Sequence, residues 1–258
     1  MMMDMQATAT WLGEHALVVS GGALALAWLL TAGLWQVGAG EGPRARRQAV
    51  YWGAAGGAAA LFATLAFLVS RDSSVTAFDD TLAATLRVAL PVAVLQTASV
   101  VTHLGDRQLL TVIAAGVAVV LLWRRRWWWA VAWFAATAGG GVINRVLKLT
   151  FERVRPEFVH TLSDASGWSF PSGHASAAMA IYGMGAYFVL RLVVPERRLA
   201  VLLIAATIVV VVGITRIMLQ VHYASDVLAG WAITSVWLAL CIAGLEAIER
   251  RATAARAN

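Results

Sequence analysis

The chain has 258 residues, of which 60% are hydrophobic and 13% charged, and its mean hydropathy is +0.73. A soluble globular domain carries roughly a quarter charged residues, so this composition excludes one, along with disordered and collagen-like chains. The formal charge is +6, but most cations sit in short clusters between apolar runs rather than on a polar face or tail, so nucleic-acid binding is not expected.

Seven apolar runs stand out against the roughly 20 residues that a spanning helix needs. They cover about 16–37, 50–69, 109–123, 127–147, 174–194, 199–214 and 227–248. The third and sixth are short and are expected to extend into their flanks, as tilted helices allow. The first run is longer than a signal-peptide core, no basic segment precedes it and no clear small-residue cleavage site follows, so it reads as a retained anchor. Cys241, the single cysteine, lies in an apolar run, which rules out an intramolecular disulfide and suggests a packing role.

Orientation follows from the arginines. Arg44, Arg46 and Arg47 follow the first run, Arg124, Arg125 and Arg126 the third, Arg197 and Arg198 the fifth, and Arg250, Arg251 and Arg256 the seventh. Seven alternating spans place all four clusters on one side, which is expected to be cytoplasmic together with the C-terminus, and leave the N-terminus outside. Between the second and third runs, Phe78, Leu82 and Leu86 recur every four residues while Asp79, Asp80 and Arg87 fall elsewhere on the wheel. That pattern fits either an interfacial amphipathic helix or a short surface helix packed on the bundle. Residues 90–101 are apolar enough for a re-entrant or partly buried piece.

Three blocks on the outer side carry the chemistry. The first runs from Lys148 to Arg155-Pro156, and Lys148 is the sole lysine in a chain that otherwise uses arginine. The second, Ser169-Phe170-Pro171-Ser172-Gly173-His174, leads into the fifth run. Free N–H groups at a helix start make an anion site, and Gly173 lets an anion approach closely. The third block holds Thr215-Arg216 and, after five more residues, His222, with Asp226 four residues beyond it. On a helix, positions i and i+4 share a face, so Asp226 can fix the tautomer of His222 and leave its other nitrogen free to attack. Together Lys148, Arg155, Arg216 and a helix N-terminus describe a pocket for a multiply charged anion, for which phosphate is the natural candidate. Two histidines there describe transfer chemistry. Zinc is the competing reading of His174, His222 and Asp226, but three cations beside the site and the lack of a completed ligand set count against it. Glu152, Arg153, His160, Asp164 and Trp168 share the loop and read as ordinary interfacial residues.

The order and spacing of these blocks resemble the type 2 phosphatidic acid phosphatases, or lipid phosphate phosphatases. That family's pattern is K-x6-R-P, P-S-G-H and S-R-x5-H-x3-D, and Thr215, in place of the usual serine, is the one departure. The Phe78-Asp79 pair is also similar to the family. The resemblance implies an all-α polytopic membrane helical bundle. A six-helix core over 49–258 would be joined to one extra N-terminal transmembrane helix and cytoplasmic loop over 1–48, with an interfacial amphipathic helix besides. It further implies that His222 attacks phosphorus, Asp226 orients it and His174 protonates the leaving oxygen. Lys148, Arg155, Arg216, Ser172 and the Gly173 N–H would bind the phosphoryl oxygens.

A metal-independent hydrolase of lipid phosphates or diphosphates is thus expected, with no metal and no cofactor. Its partners would be membrane lipids and a substrate such as undecaprenyl diphosphate, phosphatidylglycerol phosphate or phosphatidic acid. The alanine- and arginine-rich, lysine-poor composition suggests a bacterial inner membrane with the site facing the periplasm. A lipid phosphotransferase with the same site, and a non-catalytic lipid transporter or binding protein, are the alternatives. Transport usually needs polar groups near the midplane, where only Asn144, Arg145 and residues 139–141 hint at them.

Overall fold

The structure, a computed structural model, describes residues 2–39, 44–71, 73–157 and 166–257. Among these residues there is no strand, and the expected all-α membrane bundle is what the chain forms. Two helices, α1 (Met2–Glu14) and α2 (Ala16–Leu34, continued by a π-helical turn Trp35–Ala39), precede α3 (Arg44–Val69) and α4 (Ser74–Ala89). Next come α5 (Val92–Val101), a 3-10 turn (Thr102–Gly105) and α6 (Arg107–Trp123). The following span is α7 (Trp127–Phe134), a π-helical turn (Ala135–Gly139) and α8 (Gly140–Phe151). Three long helices complete the bundle: α9 (Gly173–Leu190), α10 (Pro195–Met218) and α11 (Ala224–Ala257).

Among the described residues, six helical stretches are long and apolar enough to cross a membrane: Ala16–Val37, Gln48–Val69, Val92–Trp123, Trp127–Phe151, Pro195–Met218 and Ala224–Ala255. The two short runs do extend, one through α5 and the 3-10 turn and the other to both ends of α10. The fifth expected run is α9. It carries His174, Ser176, Tyr182 and Tyr187 and falls outside that set, yet it packs against α6, α8, α10 and α11. Protein rather than lipid surrounds it, so its length need not be uniformly apolar. By contrast α2 leaves Leu26, Leu29 and Leu30 exposed, the side chains that a bilayer would solvate.

The core between α7, α9 and α11 is built on Trp133, Ala136, Met184, Phe188, Leu238 and Leu245. The π-helical turn in the α7–α8 span lies beside α11, where Trp237 Nε1 donates to the Ala135 carbonyl at 2.9 Å. A π turn takes one extra residue and so re-aims the helix after it, which is α8 with Asn144 and Lys148.

Three of the arginine clusters meet at one end of this bundle. Arg126 and Arg191 both lie over the ring of Trp129, whose indole donates to Glu249 at 2.8 Å, and Arg191 pairs with Glu249 at 2.9 Å. At the same end, Trp35, Trp52, Arg198 and Arg250 bound a cavity of about 660 Å³. The alternation read from the arginines therefore has a geometric counterpart, and the candidate site lies at the opposite helix ends.

Helix α4 is the surface helix packed on the bundle. It lies between α1, α3 and α11 and buries Asp79, Leu82 and Leu86. Asp79 was expected off the buried face. A four-residue repeat drifts around a helix of 3.6 residues per turn, and Asp79 precedes Leu82 by three and Leu86 by seven, which puts the carboxylate on their face. Helix α1, which packs along α4, was not foreseen.

Candidate active site

Two tight turns explain the motif spacing. At the end of α10, Gln220 adopts left-handed backbone with φ 54°, and the N–H groups of Val221 and His222 both bond to the Arg216 carbonyl, at 3.2 and 3.3 Å. The six-residue step from Arg216 to His222 is thus the length of a helix-closing turn that brings the imidazole back beside α10. At the end of α8, Glu152 has φ 43° and its N–H bonds to the Lys148 carbonyl at 3.1 Å. The chain then runs outward through Arg153, whose carbonyl accepts from the Ser169 N–H at 2.8 Å. This bond ties the first block to the second. The third block joins them where the Ser172 N–H bonds to the Asp226 carbonyl at 2.9 Å. Helix α11 can come so close because of Gly230, where a Cβ would stand 2.9 Å from the Ser172 carbonyl oxygen and 3.0 Å from Ser176 Oγ.

His222 and Asp226 are buried together. Nδ1 of His222 lies 3.5 Å from Asp226 Oδ2, and Ser169 Oγ stands between them, donating to Oδ2 at 2.5 Å and lying 3.3 Å from Nδ1. The Tyr223 N–H adds a bond to Oδ2 at 2.9 Å. With Nδ1 carrying the proton, the hydroxyl accepts from the ring and donates to the carboxylate, and the lone pair is left on Nε2. That atom faces Arg155, whose Nη1 donates to it at 3.1 Å. Burial pushes the His222 pKa down to about 3 against the pull of Asp226, so the ring is neutral near pH 7. Burial also lowers the pKa of Arg155.

The remaining expected residues surround this pair. Arg155 spends its other donors on the carbonyls of Val221, Ser166, Gly167 and Trp168, and Lys148 donates to those of Trp168 and Ser169. Both cations therefore hold residues 166–169 over the site. Arg216 is buried, with Nη1 donating to Thr102 Oγ1 at 3.0 Å. His174 lies within electrostatic reach of Arg216, His222 and Arg155, and its ring packs on Gly105, where a Cβ would come within 3.4 Å of it. Ser172 is the N-cap of α9. Its hydroxyl is fully buried and has no hydrogen-bond partner among the described residues, and the N–H groups of Gly173, His174 and Ala175 precede the first intrahelical bond, Ser176 N–H to Ser172 O. Asn144 donates to Ser176 Oγ and the Pro171 carbonyl, a structural use of the polar group noted near the midplane.

Arg153 departs from the expectation of an ordinary interfacial charge. Its guanidinium is largely buried, bonding through Nη1 to Asp226 Oδ1 at 2.7 Å and through Nη2 to Asp79 Oδ2 at 2.8 Å, with the Tyr223 ring 4.1 Å away. Burial works against its charge, but Asp226 and Asp79 outweigh that and raise its pKa. Glu152 is exposed as expected, and Trp168 takes part through its carbonyl. His160 and Asp164 lie outside the described residues. Ser169 has no role that the motif spacing assigns; its place three residues before the cap of α9 is the one sequence signal for it.

Comparison with known proteins converges on these elements. Residues 127–249, which contain all three blocks, match the sequence model of the PAP2 superfamily. A stretch of 94 residues is 40% identical to phosphatidylglycerophosphatase B of Bacillus subtilis, covering 36% of this chain and 46% of that protein. Over 112 residues the chain is 33% identical to a lipid A 1-phosphatase of Rhizobium johnstonii, covering 40% and 42%. The chain thus spans just under half the length of the curated relatives it matches. The crystal structure of a transmembrane PAP2 type phosphatidylglycerolphosphate phosphatase from Bacillus subtilis superposes with a TM-score of 0.67 at 27% identity. That likeness covers 74% of this chain and 96% of the other.

Proposed function

The chain belongs to the PAP2 superfamily, and on that premise we propose that it hydrolyses the phosphate or diphosphate of a membrane lipid through a phosphohistidine on His222. The observation that carries this reading is the neutral, buried His222, with Nδ1 directed to Ser169 and Asp226 and Nε2 directed to Arg155. A nucleophile needs the free lone pair on the side where the phosphoryl group is held, and Arg155 marks that side.

In the proposed cycle, Nε2 of His222 attacks phosphorus in line as the P–O bond to the leaving group breaks. His174, having taken up a proton on entry of the anionic substrate, gives it to that oxygen. Water then attacks the phosphohistidine, losing its proton to His174, and the N–P bond breaks to release phosphate and restore both rings. Arg155, Lys148 and Arg216 offset the charge on the phosphoryl oxygens, as phosphoryl transfer chiefly requires. The Ser172 hydroxyl, unpartnered among the described residues, and the N–H groups of Gly173, His174 and Ala175 that precede the first intrahelical bond add neutral donors at the positive end of α9.

Substrate class follows from depth. The site lies at the ends of spanning helices, where an acyl or prenyl tail can remain in lipid while its headgroup enters among the cations. The names of the relatives favour a lipid phosphomonoester of the phosphatidylglycerol phosphate type. The arginine clusters at the other end of the bundle support a cytoplasmic position for that end, and hence a periplasmic site. Residues 1–48 are then an addition to the catalytic core.

Purified protein in detergent, supplied with short-chain phosphatidylglycerol phosphate and phosphatidic acid, tests the reading. Release of inorganic phosphate by the wild type and its loss in His222→Ala are expected. Wild-type release by the variant would remove His222 from the chemistry.

A further inference from the structure

We propose that Asp79 and Arg153 are positioning residues for this reaction, acting through Asp226 on the imidazole of His222. The proposal rests on the reading of His222 as the nucleophile. Its basis is a buried chain of charges that crosses from α4 to α11: Asp79, Arg153 and Asp226, with side-chain exposures of 1%, 10% and 0%.

The guanidinium is divided between two carboxylates. Nη2 serves Asp79 at 2.8 Å, while Nη1 serves both Asp226 and Ser225 Oγ at 2.7 Å. Asp79 in turn accepts from the Ser225 N–H at 3.3 Å and from the Ser225 hydroxyl, so it also satisfies the first turn of α11. The helix start that carries Asp226 is therefore held from α4, and Arg153 fixes Oδ1 so that Oδ2 faces Ser169, the Tyr223 N–H and His222.

Charge decides what this division does. The three residues together carry one negative charge, and a group pairing with Asp226 feels a carboxylate only partly neutralised. Attack by Nε2 on phosphorus leaves positive charge on the imidazole, and Asp226 stabilises it in proportion to the charge that Asp226 keeps. Replacing Asp79 by a neutral amide turns the whole guanidinium charge onto Asp226 and weakens that support. Removing the cation instead would leave two buried carboxylates facing each other, a state relieved by protonating one of them. Helix α4, far from the other blocks in sequence, thereby acts on the reacting ring.

Turnover of a short-chain lipid phosphate by wild type, Asp79→Asn, Asp226→Asn and the double variant tests this, together with the thermal midpoint of each in detergent. Asp79→Asn is expected to lower kcat about tenfold to a hundredfold, as loss of an orienting partner does, with KM within about twofold. Added to Asp226→Asn, the same change is expected to alter kcat by less than about twofold, because the two act as one unit. A purely structural Asp79 would instead lower the midpoint and multiply with Asp226→Asn. Wild-type kcat in Asp79→Asn, or independent losses in the double variant, would overturn the proposal. If Asp79→Asn does not fold, Arg153→Lys is measured in its place. An ammonium keeps the charge but lacks the fork that reaches both carboxylates, so the same fall in kcat is expected, and wild-type kcat would overturn the proposal. Turnover that survives in His222→Ala would instead remove the underlying reading, whatever Asp79 does.

Discussion

Nη1 of Arg155 donates to Nε2 of His222 at 3.1 Å, so the cation assigned to a phosphoryl oxygen stands at the atom assigned to attack phosphorus. A bound phosphate would take this donor in exchange for the imidazole. Arg155→Ala is therefore expected to lower kcat by roughly a hundredfold to a thousandfold, as loss of a donor to developing charge does. Arg155→Lys should recover little, because a lysine cannot also reach the carbonyls of residues 166–168. Steady-state kinetics check both; near-wild-type kcat in Arg155→Lys would show that only the charge matters.

Ser169 gives a second prediction. Its hydroxyl bridges a His222–Asp226 pair that is 3.5 Å apart, which is long for a direct hydrogen bond. Ser169→Ala should cost about 1.5 kcal/mol of transition-state stabilisation, or roughly tenfold in kcat, with the thermal midpoint little changed. Unchanged kcat would mean that the direct contact suffices.

The buried, neutral His222 makes stability depend on pH. In the unfolded chain it titrates near 6.5, but in the fold its pKa is pushed down to about 3. Between those values the unfolded state binds a proton that the folded state does not, so stability falls as pH is lowered from 6.5 toward 3 and levels off above 6.5. The thermal midpoint of the wild type should drop over that window, and His222→Asn should reduce the slope, with buried His174 free to contribute the remainder. An equal slope in the variant would place the titrating group elsewhere.

Phosphate release is also expected to continue in excess EDTA. Lys148, Arg155 and Arg216 already gather three positive charges at the site, which does the neutralising that a divalent ion would otherwise do for a phosphate. Activity that disappears with EDTA and returns with a divalent metal would contradict this.

Much of the site could be read along the chain because local turns bring its members together. The Arg216–His222 step closes on the Arg216 carbonyl, and the Ser172 cap opens α9, so the spacing within each block reflects a local turn. Arg153 and Asp79 were not legible in the same way. Each has its partners on another element, and an arginine in a charged loop looks the same whether it meets water or two buried carboxylates. Asp79 was hidden further by the four-residue repeat of Phe78, Leu82 and Leu86, although its spacings of three and seven put it on the buried face with Leu82 and Leu86. The spans followed from apolar length except for α9, where protein contacts replace lipid and polar residues are tolerated.

Trapping the phosphoenzyme tests the central claim most directly. Wild-type protein mixed with a lipid phosphate labelled at phosphorus, then quenched in alkali within one turnover, should carry acid-labile, base-stable label on the peptide that contains His222. The label should be absent from His222→Ala. Label on another residue, or complete turnover with none on the protein, would contradict the account.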